Sequence, residues 1–142
     1  MAGTILDGVA ETAEVLRRVA AGVDKLLGLG IKPTLVAIQA NNDPGTGWYA
    51  KALVRHCADN HIELSLVKLP TDASEDSIVG EVVKAGEDPR VSAILVFMPL
   101  PPGVSHLKVV EAIPPAKDAE GIHPANLGKL LITNHTSPLP CT

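Results

Sequence analysis

Aromatic side chains are nearly missing from this 142-residue chain: Trp48, Tyr49 and Phe97 are the whole set. Any stacking on a flat ligand must therefore fall to these three, two of which are adjacent. Cysteine is equally scarce. Cys57 and Cys141 are too few for a disulfide framework, which suits a reducing, cytoplasmic setting. Basic charge is not in excess: 12 Lys and Arg stand against 16 Asp and Glu, for a net charge of −4. No Lys/Arg cluster forms a patch, so no nucleic-acid partner is expected. No apolar run approaches the ~20 residues that cross a bilayer, so no membrane partner is expected either. The opening residues MAGTILDGVAETAEVL lack a basic stretch followed by an apolar one, the pattern of a signal peptide.

What remains is ordinary for one globular domain: 46% hydrophobic and 20% charged residues, in a length that buries a single core. Residues 10–29 set Val15, Leu16, Val19, Val23, Leu26 and Leu27 on one helical face, and Gly28 and Gly30 stop it. PTLVAIQA (33–40) predicts a buried strand, followed by a turn and a helix over about 45–60. HIELSLVKLP (61–70) predicts a second strand, and residues 74–88 a helix with acids in its first turn. VSAILVFMPLPP (91–102) predicts a third strand closed by prolines. A short helix over 105–113, a loop, and a helical turn near 127–132 complete the chain. Strands alternating with helices imply a three-layer α/β fold, a small parallel sheet flanked by helices.

Between the first strand and the second helix lies Gly45-Thr46-Gly47-Trp48-Tyr49-Ala50, which fits the glycine fingerprint of a dinucleotide-binding turn. Two features weigh against that reading. Asn41, Asn42, Asp43 and Pro44 separate the strand from Gly45, whereas the fingerprint's first glycine follows its strand almost at once. The acid that would bind a ribose belongs at the end of the second strand, where Lys68-Leu69-Pro70 stand instead. The glycines are better read as turning the chain into the helix.

Other motifs point elsewhere. ILDG near the start, Pro44-x-Thr46-x-x-Tyr49, Val96-x-x-Pro99-Leu100-Pro101, Lys117-Asp118-x-x-Gly121-x-His123-Pro124-x-Asn126-x-Gly128-x-Leu130 and a terminal PCT occur in that order. In this order they resemble the methylenetetrahydrofolate dehydrogenase/cyclohydrolase family. The resemblance spans residues 1–142 and corresponds to that family's N-terminal folate-binding catalytic domain. The family's NADP-binding Rossmann domain follows the PCT segment, so no NADP site is expected within this chain.

The resemblance implies a site. Tyr49 would stack on the pterin, and Glu120, standing for the family's aspartate, would keep the carboxylate; these two are the candidate catalytic residues. Thr46, Leu53, Phe97, Pro99, Leu100 and Pro101 would complete the binding surface. The family's lysine, one helical turn beyond the tyrosine, falls on Leu53, and its glutamine falls on Phe97. Neither can give or take a proton. Lys51 is two residues from Tyr49 and points to the other side of the helix. The implied ligand is a one-carbon tetrahydrofolate, handled without the family's cyclohydrolase acid–base chemistry. The alternative is an interaction module that kept the fold and lost folate binding.

Less pointed readings attach to the remaining residues. His123 would pin its loop by hydrogen bonds, and His56, seven residues from Tyr49, would be either a substitute base or a half-exposed bystander. His61, His106 and His135 have no metal-site spacing. Cys57 reads as an inert core thiol. In the family a final helix returns to cover part of this domain, so a homodimer or a separate partner protein is expected to bury the apolar sheet here, with the first helix as the alternative cover.

Overall fold

The computed structural model describes residues 8–132. Nine elements follow in order: α1 (Gly8–Gly28), β1 (Thr34–Gln39), α2 (Pro44–Asp59), β2 (Glu63–Lys68), α3 (Glu75–Glu87), β3 (Ala93–Val96), α4 (His106–Glu111), a 3-10 turn (Pro115–Lys117) and α5 (Pro124–Ile132). The ILDG segment through Asp7, His135, Cys141 and the PCT terminus lie outside the described residues.

Local chemistry sets the helix starts. Asp43 caps α2, its carboxylate accepting from Thr46 N at 2.8 Å, and Pro44 takes the first position, where no N–H is needed. Ser74 caps α3 through Ser77 N, with Glu75 and Asp76 in the first turn facing the positive end of the helix. Ser105 caps α4 in the same way.

The sheet is parallel, in the order β2-β1-β3, so β1 is central. Strand alternation divides the core. On one face Val36, Ile38, Ile94 and Val96 pack with Ile78 and Val82 of α3 and Val109 of α4. On the other, Ala37, Leu95 and Phe97 meet Ala50 of α2, with Leu35, Leu53, Leu64, Leu66 and Ala119 around them. Helices thus flank both faces of a small parallel sheet, the three-layer α/β arrangement that the alternation predicts.

Four expectations need correction. β2 spans 63–68 rather than 61–70; it is an edge strand with Leu64, Leu66 and Val67 half-buried and Glu63, Ser65 and Lys68 exposed. β3 ends at Val96, not 102: Phe97 N still donates to Ile38 O at 2.8 Å, but prolines at 99, 101 and 102 have no N–H to continue a ladder. α5 begins at Pro124, three residues early, because His123 Nδ1 accepts from Ala125 N at 3.0 Å and caps it. α1 forms, but its stripe does not bury: Val23 is 5% exposed and Val19 half-buried, while Val15, Leu16, Leu26 and Leu27 face solvent. As a cover for the sheet, α1 is incomplete.

Candidate functional site

In an open parallel sheet, ligands collect at the carboxyl ends of the strands, where connections leave in opposite directions. Here that point lies between β1 and β3, since β1 leads through α2 to β2 on one side while β3 lies on the other. Two hydrogen bonds tie the crevice together. Asn41 Nδ2 donates to Pro99 O at 2.8 Å, and Thr46 Oγ1 donates to Met98 O at 2.9 Å. The Met98–Pro99 bond between these two acceptors is cis.

Tyr49 stands at this crevice, 48% exposed, and its ring meets the Phe97 ring edge-on, with centroids 5.6 Å apart and planes at 85°. Phe97 itself is 3% exposed. The two rings form a T-shaped pair, which fixes the tilt of Tyr49. Leu53, one turn along α2, is half-buried in the same apolar cluster, as is Ala119. Trp48, 77% exposed, is outside this cluster.

Glu120 follows Ala119 on a loop bound to the edge of the sheet: Ala119 N donates to Ile94 O at 3.1 Å, and Asp118 bridges to Ile94 in parallel register. Glu120 is half-buried, and its carboxyl is held above the ordinary value, first by burial and then by the charge of Asp118, with His106 pulling it back. Asp118 behaves oppositely. Burial would raise it, but hydrogen bonds from Asn126 and from backbone N–H groups of the loop outweigh that and keep it ionised.

The remaining sequence-derived residues divide. Pro99 is exposed at the crevice. Thr46 is buried, and its hydroxyl is given to Met98 O rather than to open space. Leu100 packs against the α3–α4 core on the far face, and Pro101 is buried. His123 accepts from Ala125 N and donates its own N–H to Asp118, so it pins the loop. His56 is exposed, beyond the half-exposure expected of it. Cys57 is buried, and burial raises its thiol above the ordinary value, the behaviour of an inert core cysteine. Gly45 and Gly47 are helical residues of α2, and the Asp43 carboxylate already occupies the helix N-terminus, where a pyrophosphate would have to sit.

Sequence reasoning missed the residues that act through backbone. Asn41 and Asp43 read as spacers, although an acid immediately before a proline at a helix start is a capping signal. Asp118 and Lys117 read only as parts of a motif. A cavity of about 420 Å³ lies away from the strand carboxyl ends, where a second, of about 390 Å³, is lined by Gln39, Asp43, Trp48 and Lys68. The first opens between α1 and α2 over the start of the sheet, walled by Leu16, Val19, Leu35, Leu53 and Ala93, where α1 fails to close. Among the described residues no His, Cys, Asp or Glu group is arranged to hold a metal, and no helix is long and apolar enough to cross a membrane.

The molecule is a parallel α/β domain with a half-exposed tyrosine on α2 and a half-buried carboxylate on the loop beside β3. Residues 6–120 match the model of the tetrahydrofolate dehydrogenase/cyclohydrolase catalytic domain, and the chain belongs to that family. It is 37% identical over 142 residues to the bifunctional protein FolD of Halalkalibacterium halodurans, covering all of this chain and 50% of that one. Its fold superimposes on the FolD methylenetetrahydrofolate dehydrogenase/cyclohydrolase of Campylobacter jejuni with a TM-score of 0.93 at 28% identity, covering 99% of this chain and 50% of that one. A methylenetetrahydrofolate dehydrogenase from the silkworm Bombyx mori gives 0.90 at 28% identity, covering 98% and 48%. The chain thus spans about half the length of these relatives.

Proposed function

We propose that this chain binds a one-carbon tetrahydrofolate, with methylenetetrahydrofolate as the preferred form. The pterin lies over the exposed face of Tyr49, and Glu120 accepts from its polar edge. The observation that supports this is the half-exposed Tyr49 ring, held in a T-shaped pair with the buried Phe97 ring. Family membership and the bifunctional relatives support the choice of ligand. Titration calorimetry with tetrahydrofolate and its methylene form tests it, and Tyr49→Ala should weaken binding at least tenfold. Absence of heat with either folate up to millimolar concentration would favour the interaction-module reading instead.

Proton transfer is the finer part of the proposal. General acid–base groups contribute roughly 10²–10⁴-fold, and Leu53 and Phe97 carry none. Methenyl-folate hydrolysis should therefore run near the uncatalysed rate. Leu53→Lys and Phe97→Gln together should raise it, and each alone should do less, because such residues act as a unit. Clear enzyme-dependent loss of the methenyl absorbance in the unaltered chain would overturn this.

The partner reading follows from α1. Val15, Leu16, Leu26 and Leu27 are exposed on it, Leu16 also lines the apolar cavity, and a second copy or another protein would cover both. Light scattering should give at least twice the chain mass at tens of micromolar; a monomer would remove this reading.

A further inference from the structure

Asp118 is 3% exposed, yet it is ionised and fully occupied. One oxygen accepts from Glu120 N at 3.2 Å and Gly121 N at 2.9 Å; the other accepts from His123 N at 2.9 Å and Asn126 Nδ2 at 2.9 Å. Four donors from residues 120–126 converge on one carboxylate, so the turn is wrapped around a fixed charge. Gly121, at φ 68°, supplies the left-handed step that lets the chain fold back. Asn126, itself buried, also donates to Pro115 O at 2.9 Å and joins both ends of the loop. The segment carrying Glu120 is therefore held by Asp118 on one side and by the Ala119–Ile94 bond on the other.

The same charge acts on Glu120 through space. A second anion beside a buried one is disfavoured, whereas a cation beside it is favoured. Among the described residues, the charged groups that act on Glu120 are Asp118 in its own loop and His106 at the start of α4, and they act with opposite sign.

Resting on the folate-binding reading, we propose that Asp118 is the positioning residue of the site. Its buried carboxylate shapes the turn that aims Glu120 and holds a fixed negative charge two residues from it. Asp118, being buried, is out of a ligand's reach. Its effect passes entirely through Glu120.

Carbon-13 NMR of the Glu120 carboxyl in the ligand-free protein, followed through a pH titration, tests this without any folate. In the unaltered chain Glu120 should titrate above Asp118, the latter read from the amide protons of Gly121 and His123. Asp118→Asn should move the Glu120 midpoint down, and His106→Gln should move it up. Midpoints that stay still, or move in the same direction, overturn the proposal. If Asp118→Asn does not fold, the order of the two titrations and the His106→Gln shift still decide it. Tetrahydrofolate affinity gives an independent arm. Asp118→Asn should weaken it about tenfold, the size of one well-placed hydrogen bond to a charged group. Lys117→Met, which frees a neighbouring anchor of the same loop, should lower stability and leave both midpoint and affinity unchanged. Equal effects of the two variants on affinity would make Asp118 merely structural. Correct midpoint shifts with no folate binding in any variant would uphold the positioning role and remove the folate reading instead.

Discussion

The two faces of the sheet are built to different standards. On the α3–α4 face, twelve buried residues form one cluster, with Val67 of the edge strand half-buried against it. Polar groups then stitch the rim: Lys117 Nζ donates to Gly86 O at 2.8 Å and Asp88 O at 2.7 Å, closing the end of α3. Glu75 accepts from Ser105 N at 2.8 Å and Lys108 Nζ at 2.6 Å, joining α3 to α4. On the α2 face the buried apolar cluster has four residues, a cavity of about 420 Å³ remains, and Tyr49 is half in solvent. A closed face supplies rigidity; an open one supplies surface for a ligand or a partner. In this molecule every residue of the proposed folate site that keeps solvent contact belongs to the open face or to the loops at its end.

The largest break in the comparison should come from matched truncations. Ile38→Ala, at a fully buried position of the closed face, should cost about 2–5 kcal/mol by lost transfer energy and residual cavity. Leu53→Ala borders an existing cavity and is half-buried, so it should cost about 1 kcal/mol. Urea denaturation reads both as shifts in midpoint at unchanged slope. Equal costs would mean that the open face is closed in solution.

A smaller contrast lies in two glycines. A Cβ on Gly86 would sit 2.9 Å from Pro114 Cγ and 3.0 Å from its Cδ, so Gly86→Ala should destabilise by about 1–3 kcal/mol through overpacking. A Cβ on Gly47 meets nothing within 4 Å, and the residue is in α2, so Gly47→Ala should stabilise by about 0.5–1 kcal/mol. Thermal melts should show shifts of opposite sign. A loss at both positions would place an unexpected neighbour against α2.

The same contrast explains what could be read from the sequence. The closed face was legible because periodicity and burial coincide there: Ile78, Val82 and Ala85 recur at helical spacing and are buried. α1 shows the limit of that logic. An apolar stripe says which side of a helix would bury, but not whether anything is there to bury it. β3 was read too long because Phe97 to Pro102 is apolar, and hydropathy does not register missing N–H groups. In the site, Tyr49 and Glu120 were found through a family pattern rather than through spacing. Asn41 was invisible because its partner, Pro99, is 58 residues away and is a backbone carbonyl. Asp118 was invisible for a related reason: four local donors satisfy it, and a satisfied buried acid looks in sequence like any loop aspartate.

The smallest effect on stability is expected at Glu120, with a sign that separates binding from folding. Burial and Asp118 hold its carboxyl above the ordinary glutamate value of 4.5. The folded state therefore binds this proton more tightly than the unfolded state, and raising the pH takes it away at the folded state's expense. Below 4.5 the group is protonated in both states and contributes nothing; above its raised folded value the full cost of burying the charge is present. Glu120→Gln removes that cost while keeping the shape. Its melting temperature should match the unaltered chain in acid and exceed it at neutral pH, with the gap opening as pH rises. Tetrahydrofolate binding should weaken in the same variant, because an amide presents one acceptor where the carboxylate presents two. A residue kept for its charge at the expense of stability would show both changes together. A Gln variant that is less stable at neutral pH would mean that the Glu120 carboxylate has a partner in the fold, and the open face would lose its anion.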